Sequence, residues 1–230
     1  MEKYYFTVFL IMVAEFMENH LGQSWWGIFE QHAVQKNYIK NQTLDFQEQT
    51  IDYFGVVTAG HVEAIVTSEN GDQVWIGEFK TGDFIGHMAF LGDLPSQFEL
   101  VTTSKTTLYR LSAVKARELM DIDTGLRDAV INDFATQLHV MTRSLVEAFA
   151  LSAKGRICAE LIRLSREIGI EPNKTIIRPN PVYVDLARRV NSTRETVSRT
   201  VSDLQKMGIV SRQPGALIVE QPDKLAGAFK

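Results

Sequence analysis

Four side chains in the C-terminal third have the types and spacing to read base edges. Arg194, Glu195, Ser198 and Arg199 fall at i, i+1, i+4 and i+5, which gathers them on one face of a helix. An Arg guanidinium is a rigid fork that matches the O6 and N7 acceptors of guanine. A Glu carboxylate accepts from the cytosine amino group, and a Ser hydroxyl serves either base. Val197, Val201 and Leu204 recur at i, i+4 and i+7 and form a separate apolar stripe that must find a core. The run Ser192–Met207 (STRETVSRTVSDLQKM) is therefore predicted as one helix. Ser192 or Thr193 supplies its capping hydroxyl, and Ser192 with Glu195 fits the S/T-x-x-E capping box. Side chains at the N-terminus of such a helix are the ones that enter a DNA groove.

An ordinary amphipathic helix with a solvated face has the same pattern, so the flanks decide. Upstream, Tyr183–Val190 (YVDLARRV) is predicted as a short helix and Val190-Asn191-Ser192 as a tight turn. Ala187 is small where two helices must approach, and Asn191 is among the few non-glycine residues that tolerate left-handed backbone. Ala187, Asn191 and Val197 have the spacing of a helix-turn-helix. Downstream, Ile209–Arg212 and Ala216–Glu220 are strand candidates around Pro214-Gly215, a turn signal, so the unit is expected to carry a wing. Arg188, Arg189, Lys206 and Arg212 stand as phosphate partners or as merely solvated charges.

On these residues the chain resembles the Crp/Fnr family of bacterial transcription regulators. The run Arg194-Glu195-Thr196-Val197-Ser198-Arg199 is similar to that family's recognition helix, and the resemblance extends from about Trp25 to the C-terminus. It implies an α+β fold. An N-terminal antiparallel β-roll of the cyclic-nucleotide-binding kind is followed by a long dimerisation helix and a C-terminal winged helix-turn-helix. The expected divisions are an N-terminal extension (1–22), an effector-sensing β-roll (23–123), the dimer helix with its hinge (124–154) and the DNA-binding domain (155–230). The resemblance also implies a cytoplasmic homodimer on double-stranded DNA with an inverted-repeat operator, with no membrane partner. RNA polymerase would be a further partner if the protein activates. Glu195, Ser198 and Arg199 match the Fnr-type Glu-x-x-Ser-Arg pattern, and Arg194 occupies the position used by the Crp type. Together they point to a TGA-like half-site whose G·C pair meets Arg199.

Composition agrees with such a division. The 230 residues are 45% hydrophobic and 23% charged, ordinary for a globular protein, with a net charge of −4. The charge is uneven: residues 155–230 sum to +5 and residues 1–154 to −9. A basic C-terminal third supplies phosphate attraction locally. The single cysteine, Cys158, excludes an intrachain disulfide and a cysteine-held iron–sulfur cluster, which takes about four thiolates. Its setting in Arg156–Leu161 predicts a small buried core residue.

Tyr4–Ala14 (YYFTVFLIMVA) is an apolar run too short to span a bilayer, which takes about 20 such residues. No small-residue cleavage site follows it, so it is expected to pack on the sensor or on a partner subunit rather than serve as a signal peptide. From Trp25 to about Ala116 the pattern is one of short alternating runs. Ile51–Thr58, Gly60–Ser68, Asp72–Phe79 and Thr106–Ser112 are strand candidates, with turns at Asn70-Gly71-Asp72, Thr81-Gly82-Asp83 and Gly92-Asp93.

The resemblance places an effector pocket at Gly86, His87, Met88, Gln97 and Phe98. In relatives that bind cyclic AMP, a Gly and a Glu stand near its start. An Arg then grips the phosphate and a small residue follows. Here the Gly is kept, but His87 replaces the Glu, Gln97 the Arg and Phe98 the small residue. A buried phosphate without a cation is costly, so cyclic AMP in the usual pose is not expected. His87 is a candidate haem or metal ligand, or else a polar residue at a pocket rim. His61-Val62-Glu63 hints at a cupin-like metal site, or else at plain strand alternation. The five His show no metal-ligand spacing, and there is no Gly-rich phosphate loop, nucleophile elbow or paired-Cys motif. No catalytic or metal residues are therefore assigned. A haem- or redox-sensing regulator of the same family, and a cupin-like metalloenzyme fused to a DNA-binding head, are the alternative readings.

From Thr124 to about Ser152 the chain lacks Pro. Ile131, Phe134, Leu138, Met141, Leu145 and Ala148 step by 3, 4, 3, 4, 3, the a/d seam of a helix that buries itself against a second helix, or else the inner stripe of a helix lying on the β-roll; the resemblance implies a homodimer helix here. By the resemblance Thr142 faces the effector pocket near the dimer axis. Ser152–Gly155 reads as a hinge and Arg156–Ile168 as a helix with Leu161, Leu164 and Ile168 inward, stopped by Gly169. A short strand, Thr175–Arg178, follows. Where the family often has a capping Thr before the first helix of the motif, this chain has Val182, so Asn180 with Pro181 is expected to start that helix instead.

Overall fold

The computed structural model describes residues 24–45, 50–69, 71, 73–92, 94–166, 170–171 and 174–228. The apolar run Tyr4–Ala14 lies outside them. The chain forms two compact units, one ending at Met141 and the other beginning at Thr142.

Among the described residues the first unit begins with a helix, α1 (Ser24–His32), that the sequence reading did not foresee. Eight strands follow: β1 (Val34–Tyr38), β2 (Thr43–Asp45), β3 (Tyr53–Ala59), β4 (His61–Thr67), β5 (Gln73–Lys80), β6 (Phe84–Ile85), β7 (Glu99–Thr102) and β8 (Thr106–Ser112). A short helix α2 (His87–Gly92) sits between β6 and β7, and α3 (Ala113–Ile122) and α4 (Thr124–Ala150) come after β8. The strands form two four-stranded sheets, β1-β8-β3-β6 and β2-β7-β4-β5. All their pairings are antiparallel. The expected hairpin is β4–β5, which pairs from His61↔Lys80 to Thr67↔Gln73.

Burial explains why one strand breaks the alternating pattern. Tyr53, Val57, Ile85 and Leu108 of the first sheet meet Val62, Ala64, Phe79 and Leu100 of the second. The other face of the first sheet, Phe54, Val56, Phe84 and Leu111, is covered by Trp25, Trp26 and Phe29 of α1, by Leu119 of α3 and by Leu126 and Val130 of α4. In β3 every residue except Thr58 is buried, so it reads YFGVVTA, a continuous apolar run. The aromatic side chains of α1 make the cover specific. Trp25 lies 5.3 Å from Phe84, Trp26 5.4 Å from Tyr109 and Phe29 5.9 Å from Phe54, centroid to centroid.

The second unit contains α5 (Ala153–Arg166), β9 (Ile170–Glu171), β10 (Lys174–Ile177), α6 (Tyr183–Arg189), α7 (Arg194–Lys206), β11 (Val210–Gln213), β12 (Ala216–Val219) and α8 (Pro222–Gly227). Its sheet runs β11-β12-β10-β9, and the β11–β12 hairpin turns at Pro214-Gly215, with Gly215 at φ 73°. One core joins Ile157, Cys158 and Leu161 of α5 to Leu186 and Ala187 of α6, to Val197, Val201 and Leu204 of α7, and to Leu217 and Val219 of β12. Cys158 is fully buried, as its setting suggested. Two expectations need correction. Helix α5 starts at Ala153, so most of the expected hinge is helical, and Gly155 N–H donates to Ser152 Oγ at 3.1 Å as a cap. Its inward stripe is Ile157, Cys158 and Leu161, with Leu164 only partly buried; Ile168 and Gly169 lie outside the described residues.

Phe29→Ala removes a fully buried ring from the layer between α1 and the first sheet. It is expected to destabilise the N-terminal unit by about 3–5 kcal/mol, read from the urea midpoint of its tryptophan fluorescence.

Candidate functional site

The turn between α6 and α7 is built from backbone hydrogen bonds that the local sequence permits. Val190 N–H donates to Leu186 O at 3.2 Å, Asn191 N–H to Arg188 O at 3.1 Å and Ser192 N–H to Ala187 O at 2.9 Å. Asn191 sits at φ 46°, the left-handed region, as its residue type suggested. Thr193 caps α7, its hydroxyl accepting from Thr196 N–H at 3.1 Å. The Ser192–Glu195 capping box therefore does not form: with Thr193 at the cap, the box position falls on Thr196. The start of α6 is also corrected. Its cap is Val182, with no side-chain hydrogen bond, and Asn180 instead reaches Gln213 O at 3.5 Å.

The apolar stripe of α7 is wholly inside. Val197, Val201 and Leu204 are each 0% exposed, and Thr200 beside them is buried. That leaves Arg194, Glu195, Ser198 and Arg199 exposed on the opposite face, with Thr193 also exposed and Ser192 half-buried. Arg199 donates to Glu195 across one helical turn. At the far end Lys206 lies 3.6 Å from Asp203. On the wing, Arg212 stands over the Tyr183 ring and donates to its hydroxyl.

Arg188 and Arg189 are half-buried rather than free on this face. Arg189 lies 3.5 Å from Glu160, a carboxylate only 2% exposed, so its charge is engaged inside the unit rather than offered to a phosphate. Glu160 also pairs with Arg163, whose guanidinium holds both Glu147 oxygens at 2.9 Å. Arg156 closes the arrangement. It donates to Val190 O at 2.8 Å, to Leu151 O at 3.0 Å and to Asn191 O at 3.1 Å, tying the residue that follows α4 to the turn of the motif. Sequence reasoning missed this cluster. The i, i+3 spacing of Glu160 and Arg163 was its one legible trace.

The first unit holds a separate candidate site. A cavity of about 220 Å³ is lined by Ile51, Phe79, Leu94, Pro95, Phe98 and Leu100, with Gly86, His87, Ser96, Gln97 and Gln137 as its polar or backbone wall. Gly86, His87, Gln97 and Phe98 of the expected pocket are thus brought together, and Met88 lies within α2. Gly86 has a backbone reason to be Gly. It sits at φ 85°, and a Cβ there would stand 2.4 Å from Tyr53 O. The residue of the long helix that lines the cavity is Gln137; Thr142 is exposed.

His87 is 1% exposed, and neither ring nitrogen has a hydrogen-bond partner among the described residues. Its Nε2 stands 3.6 Å from Asp133 Oδ2 and its ring meets the Phe134 ring edge-on at 5.7 Å. Burial pushes the imidazole down to about 4, so it is neutral near pH 7 and the contact is no ion pair there. Burial, with the nearby Asp83 adding to it, pushes the Asp133 carboxyl up to about 7 against hydrogen bonds from Phe84 and Gln137. A cavity of this size has no room for a porphyrin; sites for drug-sized ligands run to roughly 300–1,000 Å³. No group of three or more His, Cys, Asp or Glu among the described residues is placed to hold a metal ion. His61 and Glu63 lie on β4 as strand residues. No helix of the described residues is long and apolar enough to cross a membrane.

Two family models match the chain: a cyclic nucleotide-binding domain over residues 35–123 and a Crp-like helix-turn-helix domain over residues 155–228. The chain is 20% identical over 192 residues to the cAMP-activated global transcriptional regulator Vfr of Pseudomonas aeruginosa, covering 82% of this chain and 90% of the relative. To the cAMP-activated global transcriptional regulator CRP of Salmonella typhimurium it is 21% identical, covering 83% and 91%. Among solved structures, a mutant of CooA from Carboxydothermus hydrogenoformans superposes with a TM-score of 0.77 at 15% identity, over 89% of this chain and 90% of that one. The c-di-GMP responsive global regulator CLP of Xanthomonas campestris gives 0.71 at 21%, over 85% and 97%.

The raised Asp133 carboxyl fixes a sign. The folded chain keeps this proton while the unfolded chain, with an ordinary value of 3.8, releases it. Stability from this group is therefore present at low pH and is lost as pH rises toward 7. Asp133→Asn is expected to raise unfolding stability by about 2–4 kcal/mol near pH 8, with the gain fading toward zero near pH 4. Urea titrations at the two pH values check it.

Proposed function

The chain belongs to the Crp/Fnr family of transcription regulators, with a DNA-binding helix-turn-helix and an effector-binding domain, and on that premise we propose that it acts as a homodimer on inverted-repeat DNA under control of a signal other than cyclic AMP in the usual pose. The observation that carries this reading is the division of α7. Its apolar stripe is entirely buried, and Arg194, Glu195, Ser198 and Arg199 are left together outside.

The roles follow from chemistry. Arg199 reads a guanine edge in a TGA-like half-site. Glu195 accepts from a cytosine amino group, and Ser198 and Arg194 contact neighbouring positions. Ser192 and Thr193, at the N-terminal end of α7, lie where backbone contacts orient such a helix. Lys206, Arg188 and the wing residue Arg212 supply phosphate contacts. The intrahelical pair between Glu195 and Arg199 holds both side chains extended along the face before DNA arrives.

The seam of α4 supports the homodimer. Ile131 is 55% exposed, Leu138 56% and Leu145 58%, with Phe134 and Ala148 also exposed and Met141 half-buried. A stripe of this kind on one chain is what a coiled coil buries between two. Twofold symmetry then sets two α7 helices about one turn of DNA apart. Thr142, exposed on α4, lies where a partner helix would meet it. A cytoplasmic location, and contact with RNA polymerase where the regulator activates, belong to the same reading.

Three replacements argue against cyclic AMP. Gln97 offers no positive charge, the half-buried Phe98 occupies the wall, and His87 is neutral and desolvated. Selection of bound duplexes from a random pool tests the whole reading, since it returns half-site, spacing and symmetry together. An inverted repeat is expected; the absence of any preferred sequence overturns the reading. Arg199→Ala is expected to cost about 1–3 kcal/mol of operator affinity and to relax one base position. Uniform weakening on all sequences would make Arg199 a phosphate contact instead.

A further inference from the structure

Resting on the reading of the N-terminal unit as an effector domain, we propose that its cavity takes an electroneutral, single-ring small molecule carrying a hydrogen-bond donor, held between the Gln137 side-chain carbonyl and the His87 ring.

Size sets the first limit. A cavity of about 150 Å³ lined by aliphatic and aromatic side chains accepts benzene. This one, at about 220 Å³, has room for such a ring and one polar substituent. Its apolar wall of Ile51, Phe79, Phe98 and Leu100 suits the ring.

The orientation of Gln137 sets the second. Its Nε2 donates to Asp133 Oδ2 at 2.8 Å and to Phe84 O at 3.3 Å. The Phe84 carbonyl, which can only accept, fixes the amide, because the reversed amide would set its oxygen against that carbonyl. Oε1 is therefore the end left over. It is buried and has no hydrogen-bond partner among the described residues, and neither has either ring nitrogen of His87, which like Gln137 approaches Asp133. A buried acceptor left unpaired is costly, and a ligand N–H or O–H removes that cost. The neutral imidazole brings one N–H and one lone pair, so it accepts or donates to the same substituent.

Charge sets the third. Among the described residues no Lys or Arg lines the cavity. Asp133 stands 3.6 Å from His87 and is hydrogen-bonded to Gln137, and Asp83 lies close to Asp133. A carboxylate or phosphate placed there would be desolvated without a counter-charge. The site therefore selects by neutrality, the reverse of a phosphate-gripping pocket.

The test uses the full-length chain with phenol as the probe, against benzoate, phenyl phosphate and cyclic AMP, by calorimetry and ligand-observed NMR. Phenol is expected to bind with a low-millimolar Kd, in line with its few heavy atoms, and the three anions at least about tenfold more weakly. Gln137→Leu, which removes the acceptor, is expected to weaken phenol about tenfold. Phe98→Trp, which fills the cavity without touching Gln137, is expected to abolish binding, with circular dichroism confirming that both variants fold. No phenol binding up to about 10 mM, an anion bound as tightly as phenol, or equal binding to both variants would each overturn the proposal. Operator affinity is measured with and without saturating phenol. If phenol binds as expected but DNA affinity does not move, the ligand class stands and the effector reading of this cavity falls.

Discussion

The buried stripe of α7 is the contact on which the C-terminal unit depends. Val197, Val201 and Leu204 are fully withdrawn from water between α5, α6 and the sheet. Each such burial contributes about 1.5–3 kcal/mol before entropy is counted. Because a helix turns about 100° per residue, fixing that stripe fixes what stands opposite it. The polar face is thus selected by packing, not by any attraction of its own. Ala187 matters for the same reason: a larger side chain there would lift α6 away and rotate the stripe out of its seat.

The N-terminal unit turns on a different constraint, the tight approach of Gly86 to the backbone of β3. With no Cβ and a positive φ, Gly86 lets the chain leave β6 against Tyr53 O and enter α2 at once, Phe90 N–H bonding back to Gly86 O at 2.9 Å. That turn buries His87 with no hydrogen-bond partner among the described residues and sets it near Asp133, whose desolvated carboxyl would not tolerate a second fixed anion. A backbone requirement thus creates the polar chemistry of the cavity.

Much of the architecture was legible because it rests on local signals. The a/d steps of α4, the stripe of α7, the left-handed Asn191 and the hairpin turns all lie within short windows, and each appears where its chemistry puts it. What escaped was non-local. The helix α1 carries Trp25, Trp26 and Phe29 within two turns and shows its purpose only when Phe54, Phe84 and Tyr109 are brought to it. Strand β3 does not alternate, because both its faces are covered. Within the candidate sites, the residues of the recognition face could be read from type and spacing, and the family resemblance supplied Gly86, His87, Gln97 and Phe98 of the pocket wall. Gln137 and Asp133 could not, since they lie on the long helix, and only the fold brings Gln137 into the pocket wall and Asp133 against His87 behind it. Arg189 was misread as a surface cation, because Glu160, its partner, stands 29 residues away on another helix.

The same non-locality changes the meaning of the hinge. Ser152–Gly155 has small residues and a glycine, and by composition it should flex. In the structure α5 begins at Ala153, and the break between the helices is confined to Leu151 and Ser152. Around that break the Arg156 guanidinium spans Leu151 O, Val190 O and Asn191 O, and Arg163 grips Glu147 on the last turns of α4. Hydrogen bonds from a charged donor contribute about 1.5–3 kcal/mol each, so opening this clasp by bending at Ser152 alone costs several of them at once. The end of α4 from Thr142 onward belongs to the same compact unit as the winged motif. A switch that reorients the recognition face therefore has to carry those helical turns with it, or first exchange the carbonyls that Arg156 holds.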